Sequence, residues 1–353
     1  MSEAIPAYLK HFEHRAPGTI EAKRNVLKRF LELGGDKPIH TITKQDCITY
    51  RDTIRKLPSN ASKKFPGMAL KDVLKRAQGD GRHPGWPEKD LLSKQTINQD
   101  LTHLTHFFSW LINEGKYSET NPVDGLTYQG IEAKQTETFS DADIKAVFTS
   151  SEYRRQLKDG EHAQVTSAAR YWLPLLLLLT GARREEVANL ALSDIKDEEG
   201  LNCFDIAPDP GRGRRLKNKA SRRRVPIHSH LIELGFLKYV DSMKAQGELL
   251  LFPKHLALKK KGRGMGRGTA GDLVAKWFHR LLLKLNIPGE KSLHSFRPTM
   301  TTKLYEAGVD GETRRELLGH SGKDVHEAVY LGPPLAVLKQ HLERVNLRPF
   351  LRN

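Results

Sequence analysis

The chain has 353 residues, more than one average domain, so two domains that each bury a core are expected. Lys and Arg number 58 against 42 Asp and Glu, a formal charge of +16, which points to a polyanionic partner. The longest apolar run, Leu175 to Leu179 near Trp172 and Leu173, is far below the roughly 20 residues that span a bilayer, which favours nucleic acid over a membrane as that partner.

Residues 19–33 set Val26, Leu27, Phe30 and Leu31 on one stripe at helical spacing, and Gly34-Gly35 ends the run. Residues 57–92 carry Pro and Gly among Lys and Arg and read as an irregular, basic insertion or loop. From Ser93 the apolar positions Ile97, Leu101, Leu104, Phe108 and Leu111 step by four, three, four and three, with Gly115 as the stop. The N-terminal third is therefore expected to be helical.

The polar stretch Tyr128 to Thr138 has no apolar period, which puts a domain boundary near 134 and gives domains of 1–133 and 134–353. Ser140 and Asp143 resemble a capping box opening a helix with Ile144, Val147 and Phe148. Ala169 to Thr180 is apolar nearly all round, as a helix at the centre of a domain would be. Alternation at Asn202 to Ala207 and at Arg224 to His228 predicts two short strands joined by a basic connection. Helices resume from Leu273, with Phe278, Leu281, Leu282 and Leu285 on one stripe. Beyond Tyr330, the positions Leu335, Val337, Leu338, Leu342 and Val345 suit a short amphipathic tail helix, packed either on its own domain or on a neighbouring protomer. The predicted fold is mainly α with a small antiparallel β-sheet in the C-terminal domain.

Only Cys47 and Cys203 occur, too few for a disulfide framework or a thiolate zinc site, and the start MSEAIPAYLKHFEHR lacks the apolar core of a secretory signal. The expected setting is a reducing one, cytoplasmic and bacterial, nucleoid-associated when bound to DNA, or nuclear in a eukaryote. No cofactor is called for: there is no GxxxxGK[ST] loop and no tight carboxylate cluster for two metals.

Four local clusters carry chemistry. Thr180-Gly181-Ala182-Arg183 follows the buried helix, so Arg183 sits at a turn opening a new helix, with Glu186 three residues on able to orient it. Arginine offers a fork matched to phosphate oxygens and keeps its charge. Leu293-His294-Ser295-Phe296-Arg297 looks like a second loop-to-helix entry, with Ser295 as its cap and Pro298 tolerable in the first turn. Leu318-Gly319-His320 marks a helix end. Tyr330 follows ten residues later. Singly, each of these reads more readily as a helix-start salt bridge, a structural histidine, or a core or interface tyrosine.

Taken in order, GxR, HxxR, GH and Tyr resemble the tyrosine recombinase or phage integrase family, over roughly residues 15–335, and residues 97–123 are similar to the last helix of that family's N-terminal DNA-clamping domain. The resemblance implies an N-terminal helical domain that binds core DNA and a catalytic domain whose set is Arg183, Lys217, His294, Arg297, His320 and Tyr330. The family's lysine lies between two strands, where residues 212–224 hold eight basic residues and no acidic one. Lys217 and Lys219 both qualify, and counting back from Pro226 favours Lys217. The remaining basic residues there, Arg212, Arg214, Arg215, Lys219, Arg222 and Arg223, read as phosphate contacts, as do Lys259, Lys260, Lys261 and Arg263 in a glycine-rich basic loop.

Further implied are double-stranded DNA as partner, a homo-tetramer on two DNA sites, a 3′-phosphotyrosyl link at Tyr330, and no need for ATP or metal because one ester replaces another. Two features depart from the family pattern: Pro298 stands where a histidine is usual, and the step from His320 to Tyr330 is one residue longer than in many relatives. Tyr305 is a lesser rival nucleophile. A type IB topoisomerase-like enzyme and a silent DNA-binding regulator are the competing readings.

Overall fold

The structure, a computed structural model, describes residues 1–79, 85–132, 136–158, 165–209, 222–253, 270–320 and 333–351. The chain divides into two compact units, Met1–Lys134 and Gln135–Asn353, each with its own buried core.

In the first unit, helices α1 (Ala4–His11), α2 (Pro17–Gly34), α3 (Lys44–Ile54), α4 (Leu70–Gln78) and α5 (Lys94–Asn113) surround one core. The α2 stripe buries Val26, Leu27 and Phe30, and Pro17 opens the helix where its missing N–H costs nothing. In α5 the side chain of Ser93 accepts the Thr96 N–H, and Ile97, Leu101, Leu104, Phe108 and Leu111 are all fully buried. Burying each of these relative to exposure is worth roughly 1.5 to 3 kcal/mol. The insertion is more ordered than its composition predicts. It contains α4, whose Val73 and Ala77 are buried, because the helical spacing of those two apolar residues is short and hidden between Pro and Gly neighbours.

In the second unit, α6 (Asp141–Thr149) opens with the expected reciprocal cap: Asp143 N–H donates to Ser140 Oγ, and Ser140 N–H donates to the Asp143 carboxylate. After α7 (Ser151–Lys158), helix α8 (Val165–Thr180) runs through the centre, with Leu173, Leu176, Leu178 and Leu179 fully buried. Helix α9 (Arg184–Ala188) leads to an antiparallel sheet of β1 (Ile195–Glu198), β2 (Leu201–Ile206) and β3 (Arg223–Pro226) in that order. The sequence predicts only the last two strands. Ile-Lys-Asp-Glu has no alternation to betray β1, which is held by its pairing of Ile195 with Phe204. Helices α10 (Ser229–Glu233), α11 (Phe236–Ala245), α12 (Ala270–Lys284), α13 (Phe296–Glu306), α14 (Gly311–Leu318), α15 (Leu335–Leu342) and α16 (Arg348–Leu351) complete the unit as described. None of the described helices is long and apolar enough to cross a membrane.

The tail docks on its own unit. Leu338, Leu342 and Val345 enter the same core, Lys339 Nζ donates to Ile227 O at 2.6 Å, and Ser229 donates to the Glu343 carboxylate through both N–H and Oγ–H. Helix α15 thereby braces the end of β3, whose first residue is Arg223.

Candidate active site

Arg183 is aimed by the end of α8. Thr180 Oγ donates to Leu176 O and accepts the Ala182 N–H, and Gly181 turns the chain with φ +60°. A Cβ on Gly181 would lie 2.3 Å from Leu318 and 3.3 Å from Met300, so glycine is required by both conformation and space. Gly181→Ala should therefore cost about 2 to 4 kcal/mol in urea denaturation, from left-handed strain plus overpacking. A loss below about 0.5 kcal/mol would refute this account of the turn.

Beyond the turn, Arg183 caps α9 and is held by Glu186. Its backbone N–H donates to Glu186 Oε2 at 2.9 Å, and its Nη1 donates to Oε1 at 2.7 Å. The same carboxylate accepts Nη2 of Arg223 at 3.0 Å. Arg223 is fully buried, and its Nε donates to Leu317 O at 3.0 Å. This corrects the expectation that it contacts phosphate: its guanidinium is committed within the protein, joining β3, α9 and α14. Gly319, at φ +68°, closes α14 against it, since a Cβ there would meet Arg223 Nη1 at 2.7 Å. The turn returns the Gly319 and His320 N–H groups to Arg315 O and sets His320 beside the arginines.

Arg297 comes from the start of α13. Phe296, fully buried, stacks on Phe139 at 4.6 Å between ring centres and packs against Phe278, which fixes the entry of the helix. Arg297 Nη1 donates to Gly181 O at 2.8 Å, tying the second arginine to the turn that carries the first. Its Nη2 is buried with no hydrogen-bond partner among the described residues. The cap differs from the predicted one: Ser292, not Ser295, accepts the His294 N–H, and Ser295 Oγ accepts the Ser292 N–H. His294 lies exposed in that turn. Pro298 falls in the first turn of α13, where an N–H has no intrahelical acceptor, so the helix is intact.

Three guanidiniums thus gather around one buried carboxylate. Burial by itself would raise the Glu186 carboxyl, but the charge of Arg223 and the hydrogen bonds from Arg183 overcome it and hold the group ionised. Burial, then the charges of Arg183 and Arg223, lower Arg297 to about 10, which leaves it protonated at neutral pH. Partial desolvation and the charges of Arg297, Arg183 and Arg223 bring His320 down to about 4, so its ring is neutral near pH 7 and can donate a hydrogen bond without adding charge. The arrangement suits a doubly charged or charge-gaining anion such as a phosphoryl group.

Tyr330, Lys217, Lys219, Arg212, Arg214, Arg215, Lys259, Lys260, Lys261 and Arg263 lie outside the described residues. Arg222 is described and exposed. Tyr305 is 67% exposed, with Arg314 over its ring at 5.0 Å. Sequence reasoning missed a basic cavity of about 780 Å³ in the first unit, where Arg51 and Lys94 lie 5.5 and 5.8 Å from the centre of the Tyr128 ring and Arg55 and Lys56 add charge. The signal was scattered over three segments and legible only as separate basic residues.

The second unit thus combines mainly helical packing, a three-stranded sheet and an arginine cluster built on a helix-end turn. The chain belongs to the phage integrase family, whose pattern it matches over residues 146–331. It is 28% identical over 262 residues to a XerC-like tyrosine recombinase of Caldanaerobacter subterraneus subsp. tengcongensis, covering 67% of this chain and 62% of that protein. To the tyrosine recombinase XerA of Thermococcus onnurineus it is 28% identical over 173 residues, 49% of this chain and 54% of that one. The chain therefore spans less than two thirds of these relatives' length. In fold it is similar to the Tn1549 transposon integrase solved in complex with transposon right end DNA, at a TM-score of 0.58 and 17% identity over 97% of this chain and 98% of that one.

Proposed function

We propose that this chain cleaves and rejoins double-stranded DNA at specific sites, with Tyr330 as nucleophile. The observation that carries the reading is the sharing of the Glu186 carboxylate by Arg183 and Arg223 while Arg297 keeps a buried donor unsatisfied. Displacement at a phosphodiester spreads negative charge over the non-bridging oxygens, and preorganised guanidiniums favour that state over the ground state. Arg183 and Arg297 take this role, with Arg223 holding Glu186 in place. The phenol oxygen of Tyr330 bonds to phosphorus as the bond to the 5′ oxygen breaks. The phenol proton passes to His294 or to His320, whose basicity rises once the negative charge of a bound DNA phosphate offsets the three arginines, and Lys217 protonates the departing 5′ oxygen. The phosphotyrosyl ester conserves the energy of the bond it replaces, so rejoining needs neither ATP nor a metal.

The first unit serves as a clamp, its Arg51, Lys94 and Tyr128 cavity facing the phosphate backbone, and four copies assemble on two DNA sites. Arg222, Arg212, Arg214, Arg215, Lys219, Lys259, Lys260, Lys261 and Arg263 add phosphate contacts. The relatives named as tyrosine recombinases support this reading, as does the fold shared with a transposon integrase solved on DNA. The test offers nicked DNA carrying candidate sites and looks for a covalent protein–DNA adduct. Wild-type protein should form it and Tyr330→Phe should abolish it. Absence of any wild-type adduct refutes the proposal, and an adduct persisting in the variant moves the nucleophile, with Tyr305 the next residue to replace.

A further inference from the structure

The first unit holds a second pocket, of about 490 Å³, between the end of α1, the first half of α2 and the second half of α5. Its volume lies in the range of small-molecule sites, roughly 300 to 1,000 Å³. Its floor is formed by Lys23 and Trp110, which are 5% and 7% exposed, and its rim by the exposed side chains of His11, Arg15 and His106. None of the side chains lining it is a carboxylate.

That charge balance is unusual for a buried ammonium. Lys23 Nζ donates to Tyr8 Oη at 2.6 Å and lies 4.9 and 4.5 Å from the Tyr8 and Phe12 ring centres, and it forms no ion pair among the described residues. Desolvation of a cation without an anionic partner is costly, and here it lowers the Lys23 pKa, with the charge of Arg15 adding to the effect. Two further polar atoms, Trp110 Nε1 and His103 Nδ1, belong to residues that line the pocket and are buried with no hydrogen-bond partner among the described residues. Buried polar groups in native folds are nearly always paired, so two unpaired atoms near a buried ammonium that has a single hydrogen-bond partner mark this end of the unit as a place for acceptor oxygens. Phe12 and Trp110 supply flat apolar walls beside them.

We propose that this pocket binds a small phosphate-bearing molecule of nucleoside monophosphate size, a ligand separate from the DNA on which the second unit acts. The phosphate oxygens meet Lys23, His103, His106 at the rim and the Trp110 indole N–H, and the organic ring lies against Phe12 and Trp110. A duplex backbone meets exposed side chains, whereas a floor this deeply buried is reached by a terminal phosphate on a small molecule. The inference stands whether or not Tyr330 is the nucleophile.

The test is calorimetric titration of the full chain with inorganic phosphate, adenosine monophosphate and adenosine. The first two should each show a saturable site, one per chain, that is retained in Arg297→Ala and so is separate from the arginine cluster of the second unit, with adenosine at least about tenfold weaker. His106→Ala, on the exposed rim, should weaken binding of the monophosphate by about tenfold or more, as should Lys23→Met, whose folding is checked by a cooperative melt. No saturable heat with phosphate or monophosphate up to about 10 mM overturns the proposal. Monophosphate affinity unchanged by His106→Ala overturns it as well. So does a response to a short duplex alone, which would assign the pocket to the DNA-binding surface.

Discussion

Replacing Arg297 by alanine should slow formation of the covalent protein–DNA adduct by about two to three orders of magnitude, or roughly 2.7 to 4 kcal/mol of transition-state stabilisation. Arg297 is 7% exposed, one arm of its fork is fixed on Gly181 O at 2.8 Å, and the other has no protein acceptor among the described residues. A charge held in that position needs no reorganisation when a phosphate oxygen gains negative charge. Its pKa of about 10 keeps it protonated through the neutral range, so the loss should be nearly constant between pH 6 and 8. Lysine at the same position restores a charge but only one point of contact, and should recover part of the rate. The alanine variant also leaves Gly181 O unpaired, at about 1 to 3 kcal/mol of stability, so the rate is to be compared at a temperature where both proteins remain folded. Single-turnover adduct formation on a nicked substrate measures it. A wild-type rate in the alanine variant would remove Arg297 from the catalytic set.

Loss of the Glu186 charge should have the largest effect on folding. Glu186 is 6% exposed and receives Arg183 and Arg223 together, so Glu186→Ala leaves buried guanidiniums facing one another and should cost about 3 to 5 kcal/mol in urea denaturation at pH 7. Combining it with Arg223→Met should cost less than the sum of the two single losses, because each removes the same interaction. The pH dependence has a definite sign. The carboxyl is held below its ordinary value in the folded protein, so its contribution is complete above the unfolded value of about 4.3 and fades as pH falls through the lower folded value. The stability gap between wild type and Glu186→Gln should be constant near neutrality and shrink in acid. Equal stability of wild type and Glu186→Gln at pH 7 would show that the carboxylate is not the brace described.

The legible parts of this protein were those whose signal is local. The steps of four and three after Ser93 place α5, and Ser140 with Asp143 opens α6, because helical period and capping are properties of a few neighbouring residues. Missed elements had weak local signals. Strand β1 is four residues of mixed polarity that exist through pairing with β2, and α4 is nine residues framed by breakers. Serine capping at 292 rather than 295 was equally invisible, since both serines have the right spacing and the choice depends on how Phe296 seats in the core.

From its sequence alone this protein's family, its mainly helical character and the order Arg183, His294, Arg297, His320, Tyr330 could be read, since each motif is a short run of residues with its own turn or helix signal. The tertiary structure decided what the described members of that set touch. Arg223 looked like one more cation in a basic run, and burial between Glu186 and Leu317 makes it a support instead. Arg297 reaches Gly181, 116 residues away, and the tail helix settles on β3 of its own unit. Burial, shared counter-charges and the choice between partners depend on distances between segments far apart in the chain. Local pattern carries no record of those distances, and only the packed core fixes them.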